Sequence, residues 1–267
     1  PFYPVISGTC GDNLTWSFDK STGTLEISGT GYMYTDDFSV PWGDYRLAIT
    51  TVIINNGVTS IGYWAFDGCA YLTSVTIPDS VTSIGDYAFS GCRSLTNITI
   101  PAGVTSIAAT AFADCKNLIQ INVDPSNSVY SSENGVLFNK EKTELIRYPE
   151  GKAETSYTIP DGVTSIGSYA FSDCSSLTNI ALPNSIISIG SYAFSHCNNL
   201  TSITIPDGVT SIANGAFGGC RKDGNLIGMG INIFYDVTSL LVFTPKIGQV
   251  LWTLYAIYAS MSCFHKK

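Results

Sequence analysis

Between Thr73 and Leu95 the polar and apolar residues first alternate and then stop alternating, all within one 23-residue stretch. In TSVTIP, Val75 and Ile77 fall on one side of an extended chain and Ser74 and Thr76 on the other. That is the period-two pattern of a half-buried strand. Pro78 has no N–H to offer a neighbouring strand, so it ends the ladder. Asp79 and Ser80 follow as turn residues. Val81 and Ile84 bracket a second short extended piece, β-branched at both ends. From Asp86 to Cys92 there is room for one helical turn, and the unit closes on Leu95.

The same pattern returns at Ile49–Leu72 and Thr96–Leu118, and after a break at Ser156–Leu177, Thr178–Leu200 and Thr201–Arg221. No single unit can bury its apolar side alone; stacking on neighbours makes the core. The pattern therefore predicts a mainly β repeat solenoid of the α/β class, a right-handed coil with strands about 4.8 Å apart. At 119–155 the period fails. Ile121 and Val123 begin a strand, and then Gly135–Phe138 and Glu144–Tyr148 read as a hairpin around a charged turn at Asn139–Thr143. The same unit resumes afterwards, so 48–221 reads as one solenoid with an irregular turn and an insertion. Upstream, Leu14–Asp19 and Thr24–Gly29 alternate around a turn at Lys20–Gly23 and predict an N-terminal β cap over 1–47. Downstream, 222–267 loses the period. Ile231–Phe243 reads as a degenerate strand pair. Residues 247–264 carry no charge and precede His-Lys-Lys. Two readings of this end stay open: a cap helix on the last coil, or a membrane or wall anchor through 244–267.

Composition narrows the partners. Hydrophobic residues make up 45% of the chain and charged residues 13%, the balance of a folded protein rather than a disordered one. The net charge is −8, and the 13 Lys and Arg form no basic cluster, which excludes nucleic acid. The chain begins at Pro1 and reads as an excised or processed product.

Candidate chemistry centres on the cysteines. Cys69, Cys92, Cys115, Cys174, Cys197 and Cys220 occupy one phase of the repeat. Stacked equivalents come within disulfide range, but their Cβ vectors are parallel, and neither a disulfide nor tetrahedral zinc suits a row of parallel thiols. They are expected to be a buried packing ladder of small hydrophobes. Cys10 and Cys263 lie outside the ladder, and their pairing stays open. His196 sits at a position that also accepts Gly and Asp, hence on the surface. Asp161, Asn184 and Asp207 share one turn phase, read as a solvated edge rather than a calcium ladder. No constellation for acid–base or nucleophilic work emerges, and no cofactor or metal is expected. The polar side of the first strand is the candidate binding face: Ser74, Thr76, Asn97, Thr99, Gln120, Asn122, Asn179, Ser202 and Thr204.

The unit I-P-x-x-V-T-S-I-G-x-x-A-F-x-x-C, as at Ile77–Cys92 and its copies, resembles the BspA-like leucine-rich repeat, with a period of 23 residues. GVLFNKEKTELIRYP (Gly135–Pro149) shares that resemblance, and SGTCGDNLTWSFDKSTGTLEISGTGYM (Ser7–Met33) with Pro41-Trp42 resembles the N-terminal cap of such proteins. The resemblance implies a secreted or surface-displayed, non-enzymatic protein, typically of host-associated bacteria and some protists, with a role in adhesion or in binding host or neighbouring-cell proteins; a monomer is expected. The alternative is a spacer presenting another module of a longer surface polypeptide.

Overall fold

The structure, a computed structural model, describes residues 5–33, 40–222, 225–227 and 241–243. The chain divides into two compact units, 1–152 and 153–267. Both are mainly β solenoid; among the described residues the one helix is a 3-10 turn at Gly43–Tyr45.

In the first unit, strands Val5–Gly11, Leu14–Asp19 and Thr24–Gly29 form an antiparallel meander. The sequence anticipated the second and third; Val5–Gly11 adds another. The meander then becomes the first rung of the solenoid. Thr24–Gly29 pairs in parallel with Thr51–Ile54, which pairs in parallel with Ser74–Thr76. Asn97–Ile100 and Gln120–Val123 continue the pattern. A second parallel sheet runs through Gly31–Tyr32, Val58–Ile61, Ser83–Ile84 and Ser106–Ile107. In the second unit, Ser156–Thr158, Asn179–Ala181, Ser202–Ile205 and Leu241–Phe243 pair in parallel, and so do Ser165–Ile166, Ser188–Ile189 and Ser211–Ile212. Register advances by 23 residues per coil, Asn179 to Ser202 and Ser188 to Ser211, so equivalent residues stack.

The stretch with room for one helical turn is a string of turns, and the backbone gives the reason. Tyr87 and Gly91 adopt φ of 56° and 68°, the left-handed region, which no continuous α-helix tolerates. Donors then alternate. The N–H groups of Ala88, Ser90 and Cys92 bond three residues back in their own coil, while those of Phe89 and Gly91 donate to the carbonyls of Ala111 and Ala113 one coil on, both at 2.9 Å. The turn is thus a sheet-like rung, and the cross-coil ladder continues through it.

Inside, the phenylalanines stack along the coils. Trp42, Phe66, Phe89 and Phe112 follow at centroid spacings of 5.9, 5.3 and 5.8 Å. Phe171, Phe194 and Phe217 follow at 5.1 and 5.2 Å. All seven rings are buried. Burying such a side chain is worth about 1.5–3 kcal/mol, so these spines form much of the core.

The irregular segment solves a specific problem: coil 96–118 has no regular coil after it. Val136–Asn139 and Glu144–Arg147 form the anticipated hairpin, and Tyr130–Glu133 adds a third antiparallel strand that the alternation did not predict. The fully buried Asn127 ties this segment to the coil before it. Its Nδ2 donates to the carbonyls of Pro101 and Val104, and its Oδ1 accepts the N–H groups of Val129 and Tyr130. A buried Arg147–Glu150 ion pair covers the turn rung. Glu150 Oε1 accepts the N–H of Asp114 at 3.0 Å, and Arg147 Nη2 donates to the carbonyl of Phe112 at 3.3 Å.

Candidate functional site

The strand face starts from the alternation itself. Ile98 and Ile100 are buried and their neighbours Asn97 and Thr99 are exposed, because successive side chains leave a strand on opposite sides. Of the candidate residues, Ser74, Thr76, Asn97, Thr99, Gln120, Asn179 and Thr204 are exposed, and Asn122 is half-buried. Ser202 lies in the strand Ser202–Ile205. Parallel register aligns Asn97 with Gln120 and Thr99 with Asn122 in the first unit, and Asn179 with Ser202 in the second. The face is therefore a grid of short, uncharged polar groups. The hairpin meets it at one edge: Ile121 N–H donates to the carbonyl of Gly135 at 3.0 Å, and a Cβ on Gly135 would stand 3.1 Å from Gln120 Cα.

The seven cysteines of the described residues are free thiols, and all are buried. Each of four donates its S–H one coil back, to the carbonyl of a stacked phenylalanine: Cys92 to Phe66 (3.3 Å), Cys115 to Phe89 (3.1 Å), Cys197 to Phe171 (3.1 Å) and Cys220 to Phe194 (2.9 Å). Burial pushes the Cys69 and Cys115 thiols up to about 12 and those of Cys10 and Cys220 up to about 11, and holds Cys92 and Cys197 well above the usual thiol range. A thiol that stays protonated is a poor nucleophile and a poor metal ligand. Cys69 and Cys174 occupy the same phase, each fully enclosed. Cys10 is separate, in the cap, and Cys263 lies outside the described residues.

His196 is exposed, with φ of 56°. Its ring lies over the next coil, where a Cβ on Gly219 would stand 2.5 Å from Nδ1. The nearby Ser172 and Ser195 hydroxyls are buried and bonded to each other at 3.1 Å, and Ser172 donates to Asp173 Oδ2. The bond between the two hydroxyls staples two coils together. Among the described residues no group of three or more His, Cys, Asp or Glu side chains is placed to hold a metal ion. Asp161, Asn184 and Asp207 are all exposed. Among the described residues no helix is long and apolar enough to cross a membrane. The stretch 244–267, for which the sequence leaves cap and anchor open, lies outside them.

One concavity was not foreseen. An open hollow of about 600 Å3 lies where the second unit's strand face meets its turns, lined by Asn179, Ala181 and Asn184 on one coil and Thr204, Pro206 and Asp207 on the next. The sequence held a signal for it. Ala181 stands where four other coils carry Thr76, Thr99, Thr158 and Thr204.

Comparison with known proteins agrees with this geometry. The model of the BspA-type leucine-rich repeat region matches residues 45–155 and 148–240, with six copies. No curated protein is significantly similar to the chain. Among solved structures, a leucine-rich repeat protein from Eubacterium ventriosum is 27% identical, with 81% of this chain and 83% of that one covered and a TM-score of 0.48. The pneumococcal vaccine antigen PcpA is 19% identical over 92% of this chain and 82% of its own, with a TM-score of 0.50. A leucine-rich cell surface protein from Faecalibacterium prausnitzii is 23% identical over 93% and 97%, with a TM-score of 0.48. At 19% identity the likeness to the pneumococcal antigen speaks for the fold alone. The family model, by contrast, spans most of the chain with the same repeat that builds the coils, the phenylalanine spine and the thiol ladder: the chain belongs to the BspA-type leucine-rich repeat family.

Proposed function

We propose that this protein is a non-enzymatic, extracellular or cell-surface binding module that attaches to proteins of a host or a neighbouring cell through its polar strand face. The observation that carries the reading is the grid of exposed Ser, Thr, Asn and Gln side chains on the parallel strands. A rigid scaffold holds them, so little conformational entropy is lost when a partner docks. Family membership supports protein binding as the general role. Free thiols are no sign of an oxidising compartment, but their burial makes them compatible with one, because enclosed cysteines do not form stray disulfides. The whole chain, labelled and titrated against a panel of matrix, serum and bacterial surface proteins, is expected to give at least one saturable binder. Asn97→Arg with Thr99→Arg should weaken that binding at least tenfold without shifting the unfolding midpoint. The absence of any saturable binder across a broad panel overturns the reading.

A further inference from the structure

We infer that the hollow beside Ala181 is a subsite for a neutral saccharide residue. The inference rests on the strand face as the binding surface, since Asn179 and Thr204 belong to both.

The six copies of the repeat act as an internal control. At the strand's last outward position four of the other coils carry Thr76, Thr99, Thr158 and Thr204, coil 49–72 carries Ile53 and the irregular coil Asn122; coil 178–200 carries Ala181, the smallest side chain of the row. Replacing threonine by alanine removes a hydroxyl and a methyl from the surface, and the hollow of about 600 Å3 lies at that point. Its size falls in the range of small-ligand sites, roughly 300–1,000 Å3. The same coil departs again at Asn184, where its neighbours have Asp161 and Asp207. The departures therefore gather around one concavity.

The lining fits a sugar better than other ligands. Asn179 and Asn184 bring carboxamides, which both donate and accept, matching hydroxyl groups that do the same. Asp207 brings a carboxylate that can accept from two adjacent hydroxyls, and Thr204 a hydroxyl. The exposed methyl of Ala181 adds an apolar spot for the C–H face of a pyranose ring, with the mostly buried Pro206 beneath the lining. The polar heads are available. In the first unit the equivalent carboxylate, Asp79, accepts the N–H of Ala102 at 3.1 Å; the Asn184 and Asp207 side chains are exposed to solvent, as Asp79 is. The charge of these coils disfavours an anion. From Ala153 to Cys220 the chain has Glu154, Asp161, Asp173 and Asp207 and no Lys or Arg. A cationic side chain would be drawn by the single carboxylate, but it leaves both carboxamides without a matching acceptor–donor pair.

The test uses the whole chain and saturation-transfer NMR against neutral mono- and disaccharides, their sialylated counterparts, and a lysine- and arginine-rich peptide. Neutral sugars should give transfer, and sialylated ones at least tenfold less. Ala181→Thr adds a hydroxyl and a methyl to the wall of the hollow, as four other coils already carry them, so folding is kept. It should reduce the neutral-sugar signal at least tenfold, and Asp207→Asn at least fivefold. Both variants should keep the wild-type unfolding midpoint. No transfer from any neutral sugar at 10 mM (on the order of weak single-site affinities), transfer unchanged in Ala181→Thr, or binding of the basic peptide alone each overturn the inference. A protein partner that binds wild type and Ala181→Thr equally, with no sugar transfer, leaves the strand face standing as a protein-binding surface while the saccharide subsite falls. Sugar transfer lost in Ala181→Thr, with no protein partner found, leaves the subsite standing while protein binding falls.

Discussion

Two coil ends do the same job with different chemistry. In the second unit, coil 178–200 is covered by a regular coil. His196 N–H donates to the carbonyl of Gly218, and the carbonyl of Phe194 accepts the thiol of Cys220. In the first unit, coil 96–118 meets the hairpin segment instead. Asp114 N–H, the counterpart of His196 N–H, donates to the carboxylate of Glu150, and the carbonyl of Phe112 accepts from the guanidinium of Arg147. A carboxylate takes the place of a backbone carbonyl, and a guanidinium the place of a thiol. The period can lapse only where side chains replace the lost backbone partners, because a buried rung left unpaired costs about 1–3 kcal/mol per group.

The largest loss is expected where that replacement is undone. Arg147→Met leaves the Glu150 carboxylate buried without its counter-charge, and such losses run to about 3–5 kcal/mol. Combining Arg147→Met with Glu150→Gln should recover part of the loss, since glutamine still offers Asp114 N–H an acceptor and brings no charge. Urea unfolding followed by tryptophan fluorescence checks both, because Trp16 and Trp42 are buried in the same unit. A single-variant loss below about 1 kcal/mol, the scale of an exposed pair, would mean that the two coil ends are not equivalent.

The sequence showed the regular half of this contrast and hid the other. Strands, turns and thiol phase were legible because one pattern is written six times, and the period assigns each residue its side. The hairpin pairing of Val136–Asn139 with Glu144–Arg147 was legible from alternation around a polar turn. Tyr130–Glu133 was not, since its YSSE lacks an apolar alternation. Nothing in the alternation singles out Arg147 and Glu150: i,i+3 spacing says nothing about burial, and their backbone partners, the Phe112 carbonyl and the Asp114 N–H, lie more than thirty residues upstream. The candidate face could be placed as the strands' polar side. The hollow could not, because Ala181 reads as one degenerate letter until the neighbouring coils surround it.

Next in size comes the thiol ladder, which probes the regular coils. Burial raises the folded-state pKa of Cys69 from 9.0 to about 12. Below pH 9 both states hold the proton, and the protonated ladder contributes fully. Above pH 9 the unfolded chain loses protons that the folded chain keeps, so stability falls by about 1.4 kcal/mol per pH unit for each such thiol. Unfolding midpoints measured from pH 8 to 10.5 should decline, and Cys69→Ala should make the decline shallower. Unchanged slopes would show that the thiols do not hold their protons in the fold.

A smaller effect concerns the left-handed residue before each cysteine. Gly68, Gly91, Asp114, Asp173, His196 and Gly219 all have φ between 55° and 71°. That position tolerates varied residues because its side chain points outward, but its backbone favours glycine. His196→Gly should leave stability unchanged or raise it by up to about 1 kcal/mol, whereas Gly68→Ala, whose Cβ would stand 3.8 Å from Arg46 Cδ and far from the imidazole, should lower it by about 1–2 kcal/mol. Thermal unfolding of the two variants side by side separates backbone preference from contacts of the imidazole.

The smallest effect isolates solvent as the variable, because Asp114 takes part in both kinds of ionic contact. Its N–H meets the buried Glu150, while its carboxylate meets Arg93 at 2.6 Å and Lys116 at 3.3 Å in the open. Burial pushes the Asp114 carboxyl up, but hydrogen bonds from Arg93 and Lys116 outweigh it and hold it below the usual carboxylate range. The Arg93 and Asp114 side chains are 58% and 37% exposed, so water screens their attraction and each must give up rotamer freedom to keep it. Arg93→Ala should therefore cost about 0–1 kcal/mol, and the difference should vanish near 1 M salt, where the Debye length is about 3 Å. The loss in Arg147→Met should survive the same salt, because no ions reach that pair. If both losses faded together, the Arg147–Glu150 pair would be reached by solvent and could not be standing in for a coil.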